Sequence, residues 1–244
     1  MRGIILAAGK GTRLYPFTLK EPKPLFKVNG RTLLERNIEF LHSNNIYDIT
    51  IVTGYMNEAF DYYADKYNLK KVVSDVYDKK NSSSSLNLVL DILDDTLIIN
   101  GDIYIKENVF PYIKPNVSQI ISKQIVKGEE DGYIARDSDN RVIKIVKKSA
   151  SGYGDTGMMY LVGDMARAVA EKLPFAKDDE FWEDIVYSLI DDYPIYLTKI
   201  PNIVAEIDSA RDVILEGLMT KEDIINACNN DSYLLEKIED ILKL

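Results

Sequence analysis

Within its first hundred residues the chain alternates four times between a short apolar run and an amphipathic stretch. Residues 4–8, 49–53, 71–74 and 96–100 have the length of strands, and three of the four runs stop at glycine (Gly9, Gly54, Gly101). Continuously apolar runs of this kind are buried on both faces, as parallel strands are. Between the first two, Thr32-Leu33-Leu34-Glu35 has the form of a capping box, followed by Leu34, Ile38 and Leu41 at helical spacing. Asn57 is expected to cap a helix reaching about Tyr67. Asn81 is expected to open another, in which Leu86, Val89, Leu90 and Leu93 share a face. Strand alternating with helix predicts an α/β fold: a Rossmann-like, doubly wound, mostly parallel mixed sheet with helices on both faces.

The second half is less regular. Residues 118–126 and 141–147 read as strands around a polar turn at 137–140, and 195–200 reads as a third. Residues 164–173 and 181–191 read as helices. The chain from 211 to 244 reads as helical, with a break near Asn229-Asn230-Asp231. The apolar stripe Tyr233-Leu234-Leu235, Ile238, Ile241-Leu242 fits a packed helix or, alternatively, a homodimer contact.

Composition narrows the function classes. The chain has 244 residues, 46% hydrophobic and 28% charged, enough to bury a core without staples. A single cysteine, Cys228, excludes an internal disulfide and suits a reducing cytoplasm. Five apolar residues before Gly9 are too few for a signal peptide, and no run of 18 apolar residues suggests membrane insertion. His42, the only histidine, cannot complete a zinc site with Cys228, because too few ligands remain. The net charge of -9 argues against nucleic acid as a partner. Yet residues 1–31 hold seven basic side chains and one acidic one. A basic island in an acidic chain is a candidate anion site, or simply a solvated face.

The loop from Gly9 to Arg31 lies in that island. Gly9-Lys10-Gly11-Thr12-Arg13 directly follows the first strand, where open α/β sheets bind ligands. Glycines there let backbone N–H groups approach phosphate oxygens. It is not a P-loop, because Gly11 follows Lys10 where Ser or Thr is needed. It is not G-x-G-x-x-G, because position 14 is Leu. Arg13 offers a planar fork to the same anion. Pro22-Lys23-Pro24-Leu25 sets a lysine on stiff backbone, which aims its charge. On that reading Lys23 serves a ligand rather than the fold, and its loss is expected to leave thermal stability nearly unchanged.

Leu6-Ala7-Ala8-Gly9-Lys10-Gly11-Thr12-Arg13-Leu14, with Pro16, Thr18 and Pro22-Lys23-Pro24-Leu25, resembles the signature of sugar-nucleotide pyrophosphorylase superfamily nucleotidyltransferases. Within that superfamily the chain is most similar to the bacterial CTP:phosphocholine cytidylyltransferases, through residues 46–55, Phe60-Asp61-Tyr62, Lys66-Tyr67, Trp182-Glu183 and Glu206-Ile207-Asp208-Ser209. The resemblance spans about residues 1–215, read as a nucleotidyltransferase domain of nucleotide-diphospho-sugar transferase type. Residues 216–244 are read as a C-terminal helical extension packed on it. The resemblance implies CMP transfer from CTP to a small phosphorylated alcohol or amine, with pyrophosphate released, in the service of surface polysaccharide synthesis. A sugar-1-phosphate nucleotidyltransferase and a catalytically silent nucleotide-binding module are the alternatives.

The resemblance also implies roles. Leu6, Ala7, Ala8, Gly9, Gly11, Thr12, Arg13 and Ser85 would bind the nucleotide. Arg13, Lys23 and Asp102 would be catalytic, and Asp102 and Asp208 would hold Mg²⁺. Lys23, Tyr133, Trp182 and Glu183 would receive the acceptor. In the phosphocholine enzymes an aromatic follows the asparagines that open the third helix; here Asn81 is followed by Ser82 to Ser85. Serines and acids suit a smaller, more polar acceptor than choline, such as an aminoalkyl phosphonate or a phosphorylated amide.

Overall fold

A computed structural model describes residues 1–125, 139–146, 152–228 and 231–236, and residues 133–136 as strand backbone. The first strand, β1 (Arg2–Ala7), sets the architecture. Side chains alternate across a strand. Ile4 and Leu6 accordingly enter one core cluster, and Ile5 and Ala7 enter another on the opposite face. The hairpin β2 (Lys27–Val28) and β3 (Arg31–Thr32) follows, then helix α1 (Leu33–Ser43). Thr32 caps α1 as expected: its hydroxyl accepts from Glu35 N at 3.0 Å, and Glu35 Oε2 accepts from Thr32 N at 3.2 Å. Leu34, Ile38 and Leu41 are fully buried against the Ile5 face.

The chain then lays β4 (Ile49–Thr53) beside β1, α2 (Asp61–Tyr67) outside it, and β5 (Lys70–Val73) beside β4. Helix α3 (Ser82–Leu86) leads back to β6 (Thr96–Asn100), on the other flank of β1. The parallel block thus runs β5-β4-β1-β6. Winding reverses between β1 and β6. Loops leaving their carboxyl ends must diverge there, opening a crevice.

Beyond β6 the sheet turns antiparallel. After β7 (Ile103–Ile105) come β8 (Gln119–Gln124), β9 (Tyr133–Arg136), β10 (Val142–Val146) and β11 (Tyr153–Leu161). β11 pairs antiparallel with β6, β8 and β9. Helices α4 (Gly163–Lys172) and α5 (Trp182–Tyr187) cover the Ile4 face. β12 (Tyr196–Ile200) runs parallel to β8, and β13 (Val204–Glu206) forms a separate ribbon with β7. Helices α6 (Ala210–Leu215) and α7 (Lys221–Ala227) follow. The doubly wound mixed sheet is therefore present, its antiparallel part lying beyond β6. Among the described residues no helix is long and apolar enough to cross a membrane.

Several local expectations need correction. The segment 9–31 contains three short 3-10 turns and the β2–β3 hairpin rather than open loop. Asn57 makes no side-chain cap; Met56, in left-handed conformation, precedes a 3-10 turn there. The helix opened by Asn81 ends at Leu86. A 3-10 stretch with a break at Val89 continues it, while Leu86, Val89 and Leu93 still reach the core. The helix expected over 181–191 stops at Tyr187. Strands β7, β9, β11 and β13 were not evident: β7 and β13 have three residues each, and two glycines and an acid interrupt the apolar pattern of β11. The last helical region breaks after Leu215, whereas 229–230 lie outside the described residues. Leu234 packs inward with Ala210, Ile224 and Cys228, and Ile238, Ile241 and Leu242 lie outside the described residues.

Candidate active site

Three segments meet at the crevice. The first is the turn after β1. Gly11 has φ +60°, and a Cβ there would lie 2.9 Å from the Cβ of Lys23. Only glycine allows both the left-handed backbone and that approach. Thr18 Oγ1 donates to Gly11 O at 2.8 Å, and Tyr55 Oη donates to Thr18 O at 3.0 Å, which ties the loop to the β4 side. Lys23 opens a 3-10 turn between its prolines, closed by Leu25 N donating to Pro22 O at 2.8 Å.

The second segment, Gly101-Asp102, follows β6 at the same edge. The third comes from a hundred residues away. β13 pairs with β7 so that Glu206 faces Ile103, and Ile207 N donates to Asp102 O at 3.0 Å. That register sets Asp208 beside Asp102. Asp208 is itself held by its backbone N donating to Asp212 Oδ2 at 3.1 Å.

Charge converges here. Lys23 Nζ lies 2.8 Å from Asp102 Oδ2 and also pairs with Asp208 Oδ1; Arg13 pairs with the other Asp208 oxygen. The Lys23 side chain is 8% exposed and the two carboxylates 18% each, whereas Arg13 is 73% exposed. Burial alone would lower the Lys23 pKa, but Asp102 and Asp208 together hold it above its usual value. The expectation that Lys23 serves no structural role is therefore corrected: its ammonium neutralises two partly buried acids. Ligand oxygens of Asp102, Glu206 and Asp208 lie within 4.8 Å of one another, and Asp102 Oδ1 is buried with no partner among the described residues. Opposite ligands of an octahedral Mg²⁺ lie about 4.2 Å apart, so three carboxylates at this spacing suit the ion once Lys23 withdraws.

The cleft holds about 300 Å³. Its walls include Leu6, Ala7, Ala8, Gly9, Gly11, Thr12 and Arg13 of the first strand and turn, with Tyr77, Ser85, Asn100, Phe181 and Glu183. Trp182 is not among the lining residues. Its ring is fully buried beneath them, and its Nε1 donates to Asn100 Oδ1 at 2.9 Å. The placement of Trp182 on the acceptor is corrected for that reason: α5 turns its largest side chain to the core and leaves its neighbours Phe181 and Glu183 at the cleft. Asn100 Nδ2 in turn donates to Glu183 Oε1 at 2.9 Å. Burial first, and the nearby Asp155 charge second, push the Glu183 carboxyl up to about 8. Burial also raises Asp155 to about 6, against the hydrogen bond it accepts from Tyr187 Oη. Tyr133 lies on β9 opposite Gly154, and its side chain is outside the described residues.

The sequence reading passed over Glu206, Asn100, Phe181 and Asp155. Glu206 had a signal: it stands two residues from Asp208, hence on the same side of an extended chain. Asp155 had none, because its burial follows from a β11 bend that brings it under α5.

The profile of the nucleotidyl transferase family matches residues 2–199. The choline-phosphate cytidylyltransferase of Streptococcus pneumoniae is 31% identical over 232 residues, 91% of this chain and 100% of that protein. The 2-aminoethylphosphonate cytidylyltransferase of Lancefieldella rimae is 28% identical over 86% of this chain and 89% of its own. The solved structure of the CTP:phosphocholine cytidylyltransferase from Streptococcus pneumoniae superposes with a TM-score of 0.84, covering 90% of this chain and 99% of that one.

Proposed function

As the chain belongs to the nucleotidyl transferase family, we propose that it transfers CMP from CTP to a small phosphorylated alcohol or amine and releases pyrophosphate. The observation that carries this reading is the meeting of Arg13, Lys23, Asp102 and Asp208 at one cleft edge, next to a glycine turn built for phosphate. CTP and the phosphorylated acceptor are its partners.

An acceptor phosphate oxygen attacks the α-phosphorus in line. A P–O bond forms, the bond to the β-phosphate oxygen breaks, and pyrophosphate leaves with that electron pair. Both reactants are anions, so catalysis is mainly positioning and charge neutralisation. The backbone from Leu6 to Thr12 receives base, ribose and phosphates, with Ser85 opposite. Arg13, exposed at the cleft mouth, turns from Asp208 to the triphosphate. Lys23, released from the two acids, neutralises the α-phosphate or the acceptor phosphate. Asp102 and Asp208, with Glu206, would hold Mg²⁺. When bound, the ion supplies charge neutralisation on the triphosphate and fixes its orientation. Phe181 and Glu183 face the acceptor's far end.

We assign catalysis to residues 1–215 and read residues 216–244 as an extension. The packing of Ile224, Cys228 and Leu234 onto Ala210, with Tyr15 and Phe17 at their edge, supports this. The activated product suits decoration of a surface polysaccharide and places the enzyme in the cytoplasm, where CTP is made. Pyrophosphate release measured across four NTPs and a panel of phosphorylated acceptors tests the proposal. CTP with a small phospho-alcohol or phospho-amine is the expected pair. Turnover with hexose 1-phosphates alone, or with no pair at all, would overturn it.

A further inference from the structure

We infer that the acceptor carries an ammonium group bearing N–H, and that Glu183 Oε2 is the atom that selects it over a quaternary ammonium; this rests on the CMP-transfer reading above. The argument starts from Trp182. An indole nitrogen can only donate, so its bond to Asn100 Oδ1 fixes which way the Asn100 amide faces. Asn100 Nδ2 must then point at Glu183, where it occupies Oε1 at 2.9 Å. Gly157 makes room for this amide, since a Cβ there would lie 2.9 Å from Asn100 Nδ2. Glu183 lines the cleft, and its second carboxyl oxygen, Oε2, is buried with no hydrogen-bond partner among the described residues. A buried carboxyl oxygen without a donor is costly, and a ligand N–H that reaches it recovers that cost.

The alternative ligand needs a different wall. A quaternary ammonium has no N–H to offer, and its recognition depends on several aromatic faces. Among the described residues lining the cleft, the rings are those of Tyr77 and Phe181. Tyr77 backs onto Gly54 and carries Lys10 Nζ at 5.9 Å from its centroid, beside the glycine turn after β1. One half-exposed ring, Phe181, remains beside Glu183, and Ser82 stands near it with its hydroxyl accepting from Trp182 N at 3.2 Å. One ring and one unpartnered carboxyl oxygen fit a hydrogen-bonding ammonium better than a methylated one.

The test uses the unmodified enzyme, CTP and 2-aminoethylphosphonate with its mono-, di- and trimethylated derivatives, which lose N–H groups one at a time. Phosphoethanolamine and phosphocholine form a second pair. The expected result is a fall in kcat/KM of roughly 10- to 100-fold when the last N–H is removed, the worth of a charged hydrogen bond. In Glu183→Gln the KM for the primary amine should rise more than that for the trimethyl compound, so that the preference narrows. Equal or better use of the trimethyl acceptors would overturn the inference and leave cytidylyl transfer standing. Turnover with sugar phosphates alone would remove the functional reading itself.

Discussion

Replacing Lys23 by methionine removes one charge at nearly constant volume and leaves Asp102 and Asp208 facing each other. Lys23 Nζ is 2.8 Å from Asp102 and bonded to Asp208, with 8% of the side chain exposed. Breaking a buried ion pair from one side costs about 3–5 kcal/mol. Here the acids retain 18% exposure and Asp208 keeps Arg13, so about 2–3 kcal/mol is the expected loss. In a chain of this size each kcal/mol moves the melting temperature by about 2–4 °C, which predicts a drop of roughly 5–10 °C in EDTA. Saturating Mg²⁺ and CTP should shrink that drop, because a metal cation takes over the neutralisation. Pyrophosphate release should still fall by roughly 100- to 1000-fold, the worth of one preorganised charge in the transition state. Differential scanning fluorimetry with and without Mg²⁺·CTP, alongside the release assay, separates the two roles. An unchanged melting temperature in EDTA would refute the twin ion pairs, and full turnover would refute the catalytic role.

Three further outcomes follow from the same geometry. Asp102→Asn should lower pyrophosphate release by at least about 100-fold at any Mg²⁺ concentration, and turnover near that of the parent would reject its place at the metal. Glu183 and Asp155 are both raised, so the folded chain holds protons that the unfolded chain releases; the Asp155 contribution is full below about pH 3.8 and lost as pH climbs through about 6, that of Glu183 full below about pH 4.5 and lost through about 8. Melting temperature should therefore fall between about pH 4.5 and 8 and level off above that, less steeply in Glu183→Gln, and parallel curves would contradict the buried acid. Thr32→Ala removes the α1 capping box and should cost about 1 kcal/mol by urea denaturation, with no effect on KM for CTP; a loss within error would mean that the cap is redundant.

What could be read along the chain was whatever depends on neighbours within a few residues. The run Ile4 to Ala8, the glycine turn after it and the Thr32–Glu35 box each carry their own geometry, because strand alternation and capping act over four residues or fewer. Those pieces were enough to put Gly9–Arg13 and Asp102 after parallel strands, on one edge of the sheet. Asp208 could be attached to that edge only through its resemblance to a family. Nothing near it in sequence says that β13 will pair with β7 in the register that brings it to Asp102.

The same limit governs the side chains. Lys23 looked like a charge aimed at a ligand, yet its environment consists of two acids 79 and 185 residues away. Trp182 and Glu183 are adjacent letters, but one fills the core and the other walls the cleft. Packing of α5 against Leu86, Met165 and Val169 decides which. Local chemistry determined the kind of sheet and the phosphate loop; the strand order that makes the switch point came from tertiary pairing. Long-range strand register and core packing decided which charges meet, because burial and pairing are properties of the assembled fold and leave no period in the chain.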